Sequence, residues 1–254
     1  MTGRIVCITG ATSGIGEATA YLLAQKGYSL ILTGRRIDKL DYLRRELSKM
    51  TSVYTLAFDV RQREQVETAF ETLPAAWQSI DVLINNAGNA HGLSSFDQGD
   101  LDDWDAMIDG NVQGLLYVSR WVVPGMVRRQ RGHIVNISSV AGKTTYANGA
   151  VYCASKKAVE GISEGMRLDL TQHGIKVTNV APGAVETEFS LVRFKGDAER
   201  ASTVYAGFQP LRPDDIADAI RYVLEVPDHV TIADLTLYPK VQSAPTTIYR
   251  NTTT

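Results

Sequence analysis

Tyr152 and Lys156 lie four residues apart in the stretch YCASKK, a spacing that can bring a phenol and an ammonium together. On a helix, positions i and i+4 share a face, so Lys156 stands beside Tyr152 whereas Lys157 is turned away. A positive charge stabilises the phenolate, so this pairing predicts a pKa for Tyr152 below the usual value of about 10. Such a phenol suits general acid–base chemistry. The alternative is a buried tyrosine followed by an exposed lysine, and the pair by itself is compatible with both.

Two further polar positions could take part in that chemistry. Ser138 and Ser139 end a strand-like run before Tyr152, and because strand side chains alternate in direction, only one of the two serines can serve. Asn111 lies in DGNVQG, where an asparagine and two glycines are poor helix formers inside a helical pattern. A local disruption there could free a backbone carbonyl to hold a water molecule. The alternatives are a hydroxyl that satisfies backbone groups at a strand end and a polar residue tolerated within a helix.

The glycine-rich segment TGATSGIG, residues 9–16, could hold a phosphate group. It places Gly10, Gly14 and Gly16 between an apolar strand-like run and a helical pattern. A strand, a glycine turn and a helix N-terminus together make an anion site, because backbone N–H groups point outward and absent side chains let a pyrophosphate approach. A flexible turn is the alternative. The position at the first strand–helix junction favours nucleotide binding.

Arg35 and Arg36 end the second strand-like run, where a dinucleotide's ribose 2′ position is read. An acidic residue there would accept hydrogen bonds from a free 2′-hydroxyl, whereas a guanidinium group can hold a 2′-phosphate. A solvated basic pair before a helix is the alternative. We predict NADP(H) as the cofactor, in preference to NAD.

The elements that must position these residues alternate along the chain. Helical patterns separate runs of continuous apolar, β-branched character, which is expected of parallel strands covered on both faces. The strand-like runs are RIVCITG, SLILTG, VYTLAFDV, IDVLINNAG, HIVNISS, KVTNVAPG and TIADLTLYP, and the helical segments are 14–26, 37–49, 62–73, 101–130, 151–173 and 213–226. This alternation predicts an α/β fold with a doubly wound parallel sheet of about seven strands, helices on both faces, and one domain over 1–254. Segment 183–212 does not continue the alternation of strands and helices. It follows the carboxyl end of a strand, where open α/β sheets bind ligands, so we expect residues 188–208, roughly, to form a lid over a site.

Composition excludes several classes of function. The chain has 254 residues and a net charge of -2, which gives no reason to expect nucleic acid or an anionic membrane surface as a partner. No apolar run reaches the length of a membrane span. Cys7 and Cys153 form no spaced set, which favours a cytoplasmic location, and the four histidines show no metal-ligand spacing, so no metal is predicted.

The ordered set of motifs resembles the short-chain dehydrogenase/reductase family. The set comprises T-G-x-x-x-G-x-G, Asp59 in FDV, NNAG at 85–88, Asn111, Ser139, the Tyr152–Lys156 pair and PGAVET at 182–187. The resemblance implies a Rossmann fold, a catalytic set of Asn111, Ser139, Tyr152 and Lys156, and contact of Ser139 and Tyr152 with the same substrate oxygen. It further implies a water relay held at Asn111 and contact of Lys156 with the ribose. The cofactor-binding residues implied by motif and resemblance are Gly10, Thr12, Ser13, Gly14, Ile15, Gly16, Arg35, Arg36, Asp59, Val60, Asn86, Ala87, Gly88, Tyr152, Lys156, Pro182, Gly183, Val185 and Thr187.

Finer similarity points to one subgroup of that family. LPAAWQSIDVLINNAG, SLVRFKGD and LTLYPKVQS resemble bacterial NADP-dependent 3-hydroxy acid dehydrogenases that act on serine, L-allo-threonine and 3-hydroxypropionate. Arg193 and Lys195 in the lid could bind a substrate carboxylate or could be solvated charge. The resemblance implies a homotetramer, with 101–130 and 151–173 packed against partners, a nucleotide half over 1–130 and a catalytic half over 131–254. The alternatives are a broader carbonyl or 3-oxoacyl reductase and a non-catalytic NADP-binding regulator.

Overall fold

Seven parallel strands form the centre of the protein in this computed structural model, which describes residues 3–250. The strand order β3-β2-β1-β4-β5-β6-β7 reverses direction between β1 and β4, which is where open α/β sheets bind ligands. The strands are Ile5–Ile8 (β1), Ser29–Gly34 (β2), Val53–Ala57 (β3), Ile80–Asn85 (β4), Gly132–Ile137 (β5), Ile175–Pro182 (β6) and Asp234–Leu237 (β7). Every residue of β4 is buried, as continuous apolar runs predict for a covered strand. The predicted fold class is confirmed.

Helices cover both faces of this sheet. They are Gly14–Gln25 (α1), Ile37–Leu47 (α2), Arg63–Glu71 (α3), Leu101–Ile108 (α4), Gly114–Arg129 (α5), Val140–Lys143 (α6), Ala150–Leu170 (α7), Phe189–Arg193 (α8), Ala198–Thr203 (α9) and Pro213–Glu225 (α10). Buried side chains of α1, α2 and α10 pack on one face of the sheet, and those of α3 and α5 pack on the other. Side chains that alternate in direction along each strand supply both cores.

The segment predicted as one helix over 101–130 is interrupted. A π-helical turn, Asp109–Gln113, separates α4 from α5 and has Asn111 at its centre. The local disruption expected at DGNVQG is therefore confirmed. Single π turns inside α-helices occur frequently at functional sites, because they place an extra residue on one side of the helix.

Two parts of the chain complete the edge of the sheet where the strands end. Segment 183–212 contains the short helices α8 and α9, which agrees with the predicted interruption of the strand–helix alternation. A small antiparallel hairpin, Gln242–Ala244 (β8) with Thr247–Ile248 (β9), follows β7 and was not expected from the sequence. Within residues 3–250, no helix combines the length and apolar character needed to span a bilayer.

Candidate active site

A cavity of about 690 Å³ opens at the carboxyl ends of the parallel strands. Its wall includes the glycine loop, the turn after β2, the ends of β4, β5 and β6, the start of α7, the lid and the C-terminal hairpin. All the sequence-predicted site residues line it except Gly16, Asn111 and Lys195. The fold therefore gathers motifs that lie far apart in sequence, because parallel strands place all their carboxyl ends along one edge.

The glycine loop is held tightly against the end of β4. Gly10 has φ of 64°, and an added Cβ would lie 2.9 Å from the Cα of Ala87. An added Cβ at Gly16 would lie 2.3 Å from the carbonyl oxygen of Gly10. The side-chain amide of Asn86 donates to the carbonyls of Thr9, at 2.9 Å, and Gly10, at 3.1 Å. Asn86 therefore braces the loop, and Gly16 has a packing role behind it.

Arg36 is fixed to the glycine loop by two of its three nitrogens. Its Nε donates to Thr12 Oγ1 at 3.2 Å, and its Nη2 donates to the carbonyl of Thr12 at 2.9 Å. Its Nη1 donates to the carboxylate of Glu188 in the lid at 2.9 Å. Arg35 is 67% exposed and lies 3.7 Å from Asp59. The two arginines therefore differ, because Arg36 is pre-positioned at the cavity edge whereas Arg35 is largely solvated.

Asp59 and Val60 form the wall of the cavity beyond β3. The guanidinium of Arg61 contacts both carboxylate oxygens of Asp59: Nε donates to Oδ1 at 3.1 Å, and Nη2 donates to Oδ2 at 2.7 Å. Partial burial acts to raise the pKa of Asp59, but the bonds from Arg61 outweigh it and the pKa lies below its usual range. Val60 packs against Gly114 so closely that a Cβ there would lie 2.7 Å from Val60 Cγ2. The glycine at the start of α5 thus lets Val60 reach the cavity.

Tyr152 is buried beneath the lid, with its ring centroid 5.8 Å from that of Phe189. Burial is the largest influence on its pKa and raises it well above the usual value, while a hydrogen bond with Ser139 acts to lower it. The prediction of a lowered pKa is wrong, because desolvation of the phenolate outweighs the lowering influences on it. Tyr152 is therefore a neutral phenol at neutral pH.

Lys156 is also buried, and its Nζ donates to the carbonyl of Ile137 at 3.0 Å. Burial lowers the pKa of Lys156 to about 8, and the charge of Glu160, one turn further along α7, acts to raise it. The ammonium lies near the bend after β4, since a Cβ added at Gly88 would be 3.3 Å from Nζ. The lysine therefore faces the nucleotide side of the cavity.

The two serines after β5 point in different directions. Ser138 Oγ is buried and donates to the carbonyl of Lys156 at 3.3 Å. Ser139 Oγ accepts from the backbone N–H of Ala141 at 3.1 Å, caps α6, and lies close enough to Tyr152 to lower the pKa of the phenol. Ser139 is thus both the strand-end cap and the serine that meets Tyr152. Strand alternation predicted that only one of the two could serve.

Asn111 does not line the cavity but connects two elements that do. Its Oδ1 accepts from the N–H of Asn89 at 2.7 Å, and its Nδ2 donates to the carbonyl of Asn89 at 2.8 Å. The same Nδ2 donates to Ser155 Oγ at 2.9 Å. The side chain therefore ties the segment after β4 to the residue that precedes Lys156 on α7.

The PGAVET segment turns over the end of β6 and is supported by the C-terminal hairpin. Gln242 Oε1 accepts from the N–H of Ala184 at 2.8 Å, and a Cβ at Gly183 would lie 2.4 Å from that oxygen. Tyr205 in the lid donates its hydroxyl to the carbonyl of Val185 at 2.8 Å. Thr187 Oγ1 accepts from the backbone N–H of Phe189, the first residue of α8, at 3.1 Å.

The two lid cations predicted as carboxylate ligands lie in different places. Arg193 lines the cavity, with its guanidinium carbon 5.6 Å from the ring centroid of Tyr152. Lys195 instead pairs with Asp100 at 3.1 Å and Asp103 at 2.9 Å. The prediction for Lys195 is therefore corrected: its ammonium is engaged by two carboxylates outside the cavity, and Arg193 is the lid cation that faces it.

Several cavity residues were missed by sequence reasoning. Tyr146 accepts from Arg193 Nη2 at 3.1 Å, and burial raises the pKa of its phenol. Gln242, Tyr205 and Phe189 support the turn, the lid and Tyr152 as described above. None of these belongs to a spaced motif. The one available signal was the aromatic character of Tyr146, six residues before Tyr152.

Across residues 3–250, no group of three or more histidine, cysteine or acidic side chains is arranged to hold a metal ion. Cys7 and Cys153 are free and buried, and burial raises the pKa of the Cys7 thiol to about 12.

Comparison with known proteins agrees with this arrangement. Residues 4–197 match the family described as short chain dehydrogenase. The chain belongs to this family. The NADP-dependent 3-hydroxy acid dehydrogenase YdfG of Salmonella typhi is 46% identical to this short-chain dehydrogenase over 240 residues, which cover 94% of this chain and 96% of the relative. Serine 3-dehydrogenase of Agrobacterium fabrum is 41% identical over 243 residues, which cover 96% of each chain. The closed form of a serine dehydrogenase complexed with NADP+ has a TM-score of 0.91 at 44% identity and covers 94% of this chain and 96% of its own.

Proposed function

We propose that this short-chain dehydrogenase transfers a hydride between NADP(H) and the hydroxyl carbon of a small 3-hydroxy acid such as serine, L-allo-threonine or 3-hydroxypropionate. One observation carries the proposal: a single cavity joins the glycine loop and Arg36 to the Ser139–Tyr152 pair and to Arg193. The 3-hydroxy acid and serine dehydrogenases to which the chain is 41–46% identical support the same substrate class.

The residues present fit NADP(H). The close packing at Gly10 and Gly16 seats the glycine loop against the end of β4, and residues 12–15 line the cavity, where their backbone can meet a pyrophosphate. Arg36 presents Nη1 to an anion while its other nitrogens are held on Thr12, and a carboxylate of the protein already occupies that position. Arg36 would hold the 2′-phosphate and Lys156 the ribose, while Asp59 and Val60 would contact the adenine. The bound cofactor supplies a two-electron hydride acceptor or donor.

The proton chemistry falls to Tyr152 and Ser139. In the oxidative direction, Ser139 orients the substrate hydroxyl and the phenolate of Tyr152 takes its proton as the carbinol carbon loses a hydride. In the reverse direction the phenol returns that proton to the carbonyl oxygen. Because burial keeps Tyr152 neutral on its own, the positive charge of Lys156 and that of the oxidised nicotinamide together would stabilise the phenolate. Asn111 holds the start of α7, and with it Lys156, against the segment after β4.

Arg193 supplies the counter-charge that an acid substrate requires. Its Nε donates to the carbonyl of Gly92 at 3.1 Å, and its Nη2 donates to Tyr146, so the guanidinium is held in place over Tyr152. Its Nη1 makes no hydrogen bond within the described part of the chain. A carboxylate two carbons from the reacting hydroxyl carbon could reach that nitrogen, which favours a 3-hydroxy acid over an uncharged alcohol.

We further propose a cytoplasmic homotetramer with a nucleotide half over 1–130 and a catalytic half over 131–254. Large apolar side chains are exposed on the two helices expected to meet partners: Leu116 and Trp121 on α5, and Leu168 on α7, which is 78% exposed. A mass measurement of the native protein in solution tests the subunit number.

The proposed activity is tested with a substrate panel at matched concentrations of the two cofactors, in which hydroxy acids are assayed with NADP+ or NAD+ and ketones with NADPH or NADH. We expect turnover of serine, L-allo-threonine and 3-hydroxypropionate with NADP+, and Tyr152→Phe should reduce kcat by about 10²–10⁴-fold while NADP+ still binds. Turnover confined to acetoacetyl esters or aromatic ketones would favour the broader carbonyl reductase. Undiminished turnover by the Tyr152→Phe variant would refute the assigned acid–base residue, and a preference for NAD+ would refute the assigned cofactor.

A further inference from the structure

Glu188 links the lid to the nucleotide edge of the cavity. It directly precedes α8, and its carboxylate lies 2.9 Å from Arg36 Nη1 and 3.6 Å from Lys39 Nζ. Both cations belong to the turn and helix after β2, so this ion pair spans from the lid to the far side of the cofactor cleft. Partial burial acts to raise the pKa of Glu188, but the hydrogen bond and charge of Arg36 outweigh it and the pKa lies below its usual range. The carboxylate is therefore ionised at neutral pH.

The nitrogen that Glu188 occupies is the one that Arg36 offers to an anion. Arg36 Nε and Nη2 are held on Thr12, so the guanidinium cannot turn to present a different edge without releasing the glycine loop. A phosphate on the ribose 2′ position and the Glu188 carboxylate carry charges of the same sign. They cannot share Nη1 without repulsion, because two anions at one cation destabilise each other.

We propose that Glu188 is an internal competitor for the cofactor's 2′-phosphate and that binding of the phosphate releases the lid from Arg36. This inference rests on the proposed use of NADP(H). A cofactor with a free 2′-hydroxyl carries no charge at this point and has no means of displacing the carboxylate. Glu188 therefore weakens binding of every 2′-phosphorylated ligand, and it couples the arrival of the phosphate to movement at the start of α8.

The competition is weak enough to be overcome by the cofactor. The side chains of Arg36 and Glu188 are 40% and 46% exposed, and ion pairs that exposed are screened by solvent. Binding of the phosphate and release of the lid are thermodynamically linked. The free energy needed to break the Arg36–Glu188 ion pair is subtracted from the binding free energy of the phosphate, and the same free energy no longer holds the lid once the phosphate is bound. The strength of this ion pair therefore determines the size of both effects.

The test uses adenosine 2′,5′-bisphosphate and adenosine 5′-monophosphate, which lack the nicotinamide and so do not depend on Ser139 or Tyr152. Dissociation constants are measured by calorimetry for the full-length wild type, Glu188→Gln and Glu186→Gln. Glu186 is exposed, lies two residues earlier in the same turn and makes no ion pair within residues 3–250, so its substitution is a matched loss of charge. We expect Glu188→Gln to bind the bisphosphate about two- to five-fold more tightly, the size of one exposed ion pair, and the monophosphate as the wild type does.

A second measurement follows the lid itself. Trypsin cleavage after Arg193, Lys195 and Arg200 should be faster in ligand-free Glu188→Gln than in Glu186→Gln. The bisphosphate should accelerate cleavage of the wild type more than the monophosphate does. Three results would overturn the proposed competition. The first is bisphosphate binding by Glu188→Gln that is unchanged or weaker, and the second is an equal gain in affinity in the Glu186→Gln control. The third is an equal cleavage rate in the two variants. A wild type that does not distinguish the two nucleotides would instead overturn the proposed choice of NADP(H).

Discussion

Arg193 is the residue on which the proposed substrate class depends most directly. Its guanidinium is held by Gly92 and Tyr146 and lies over Tyr152. A hydrogen-bonded pair with a charged partner contributes about 1.5–3 kcal/mol, so Arg193→Gln should raise KM for 3-hydroxypropionate by about 10- to 100-fold. The measurement is steady-state kinetics with 3-hydroxypropionate and with its uncharged methyl ester, which should show little change.

Lys195→Gln is the matched control, because it removes a lid cation that pairs with Asp100 and Asp103 outside the cavity. We expect near-wild-type kinetics from it on both substrates. Equal losses on the acid and the ester in Arg193→Gln would mean that the arginine supports the lid and does not bind the carboxylate.

At this scale the sequence predicted residue types better than their electrostatic states. Tyr152 and Lys156 both line the cavity from α7, and Ser139, not Ser138, acts on the pKa of Tyr152, but Lys156 is not among the groups that shift that pKa. The direction of the pKa shift of Tyr152 differs from the prediction, because desolvation depends on packing by Phe189 and other residues distant in sequence. Lys195 shows the same limit, since its partners lie about ninety residues earlier in the chain.

The π turn at Asp109–Gln113 shows how an element positions the catalytic residues. Asn111 makes three hydrogen bonds, at 2.7, 2.8 and 2.9 Å, that join the segment after β4 to α7. Because Asn111 is buried, Asn111→Ala leaves the backbone groups of Asn89 unsatisfied. We expect a loss of about 2–4 kcal/mol in the free energy of unfolding and a reduced kcat. Urea denaturation and steady-state kinetics measure the two effects.

Ser155→Ala provides the comparison, since it removes only one of the bonds that Asn111 makes. Its cost to the free energy of unfolding should be about 1 kcal/mol, and the double variant should lose less than the sum of the two single variants. Full additivity would show that Asn111 and Ser155 do not act through a shared contact.

Elements were predictable where a local pattern dictates them. The seven strands and the interruption at DGNVQG follow from apolar runs and from poor helix formers. The hairpin of β8 and β9 could not be predicted from the sequence, because its strands have three and two residues, too few to show a recognisable alternation. Its role depends on Gln242 reaching Ala184, a contact between residues 58 positions apart. Support of this kind cannot be inferred from spacing.

At the scale of the whole molecule, the candidate active site and His133, a histidine whose pKa is strongly lowered, lie at opposite ends of the sheet. His133 is the second residue of β5, at the edge away from the cavity, and is 1% exposed. Thr178 Oγ1 donates to the carbonyl of Ile232 at 2.7 Å, so its oxygen accepts from His133 Nε2 at 2.8 Å. Nδ1 therefore carries no proton, and it is buried without a hydrogen-bond partner in the described chain. Protonation there would place an unpaired charge in the core.

Burial lowers the pKa of His133 to about 3, with the charges of Lys176 and Arg4 acting in the same direction. The unfolded chain titrates near pH ~6.5, so between these values the unfolded state binds the additional proton. The free energy of unfolding should consequently fall as the pH decreases from about 6.5 towards 3, by several kcal/mol over the whole range. His133→Gln keeps a side-chain donor for Thr178 and removes the titration, so its stability should decline less steeply. Urea denaturation across that pH range measures the slope, with the exposed His229→Gln as the control. Parallel curves for wild type and His133→Gln would assign the acid sensitivity of the fold to other groups.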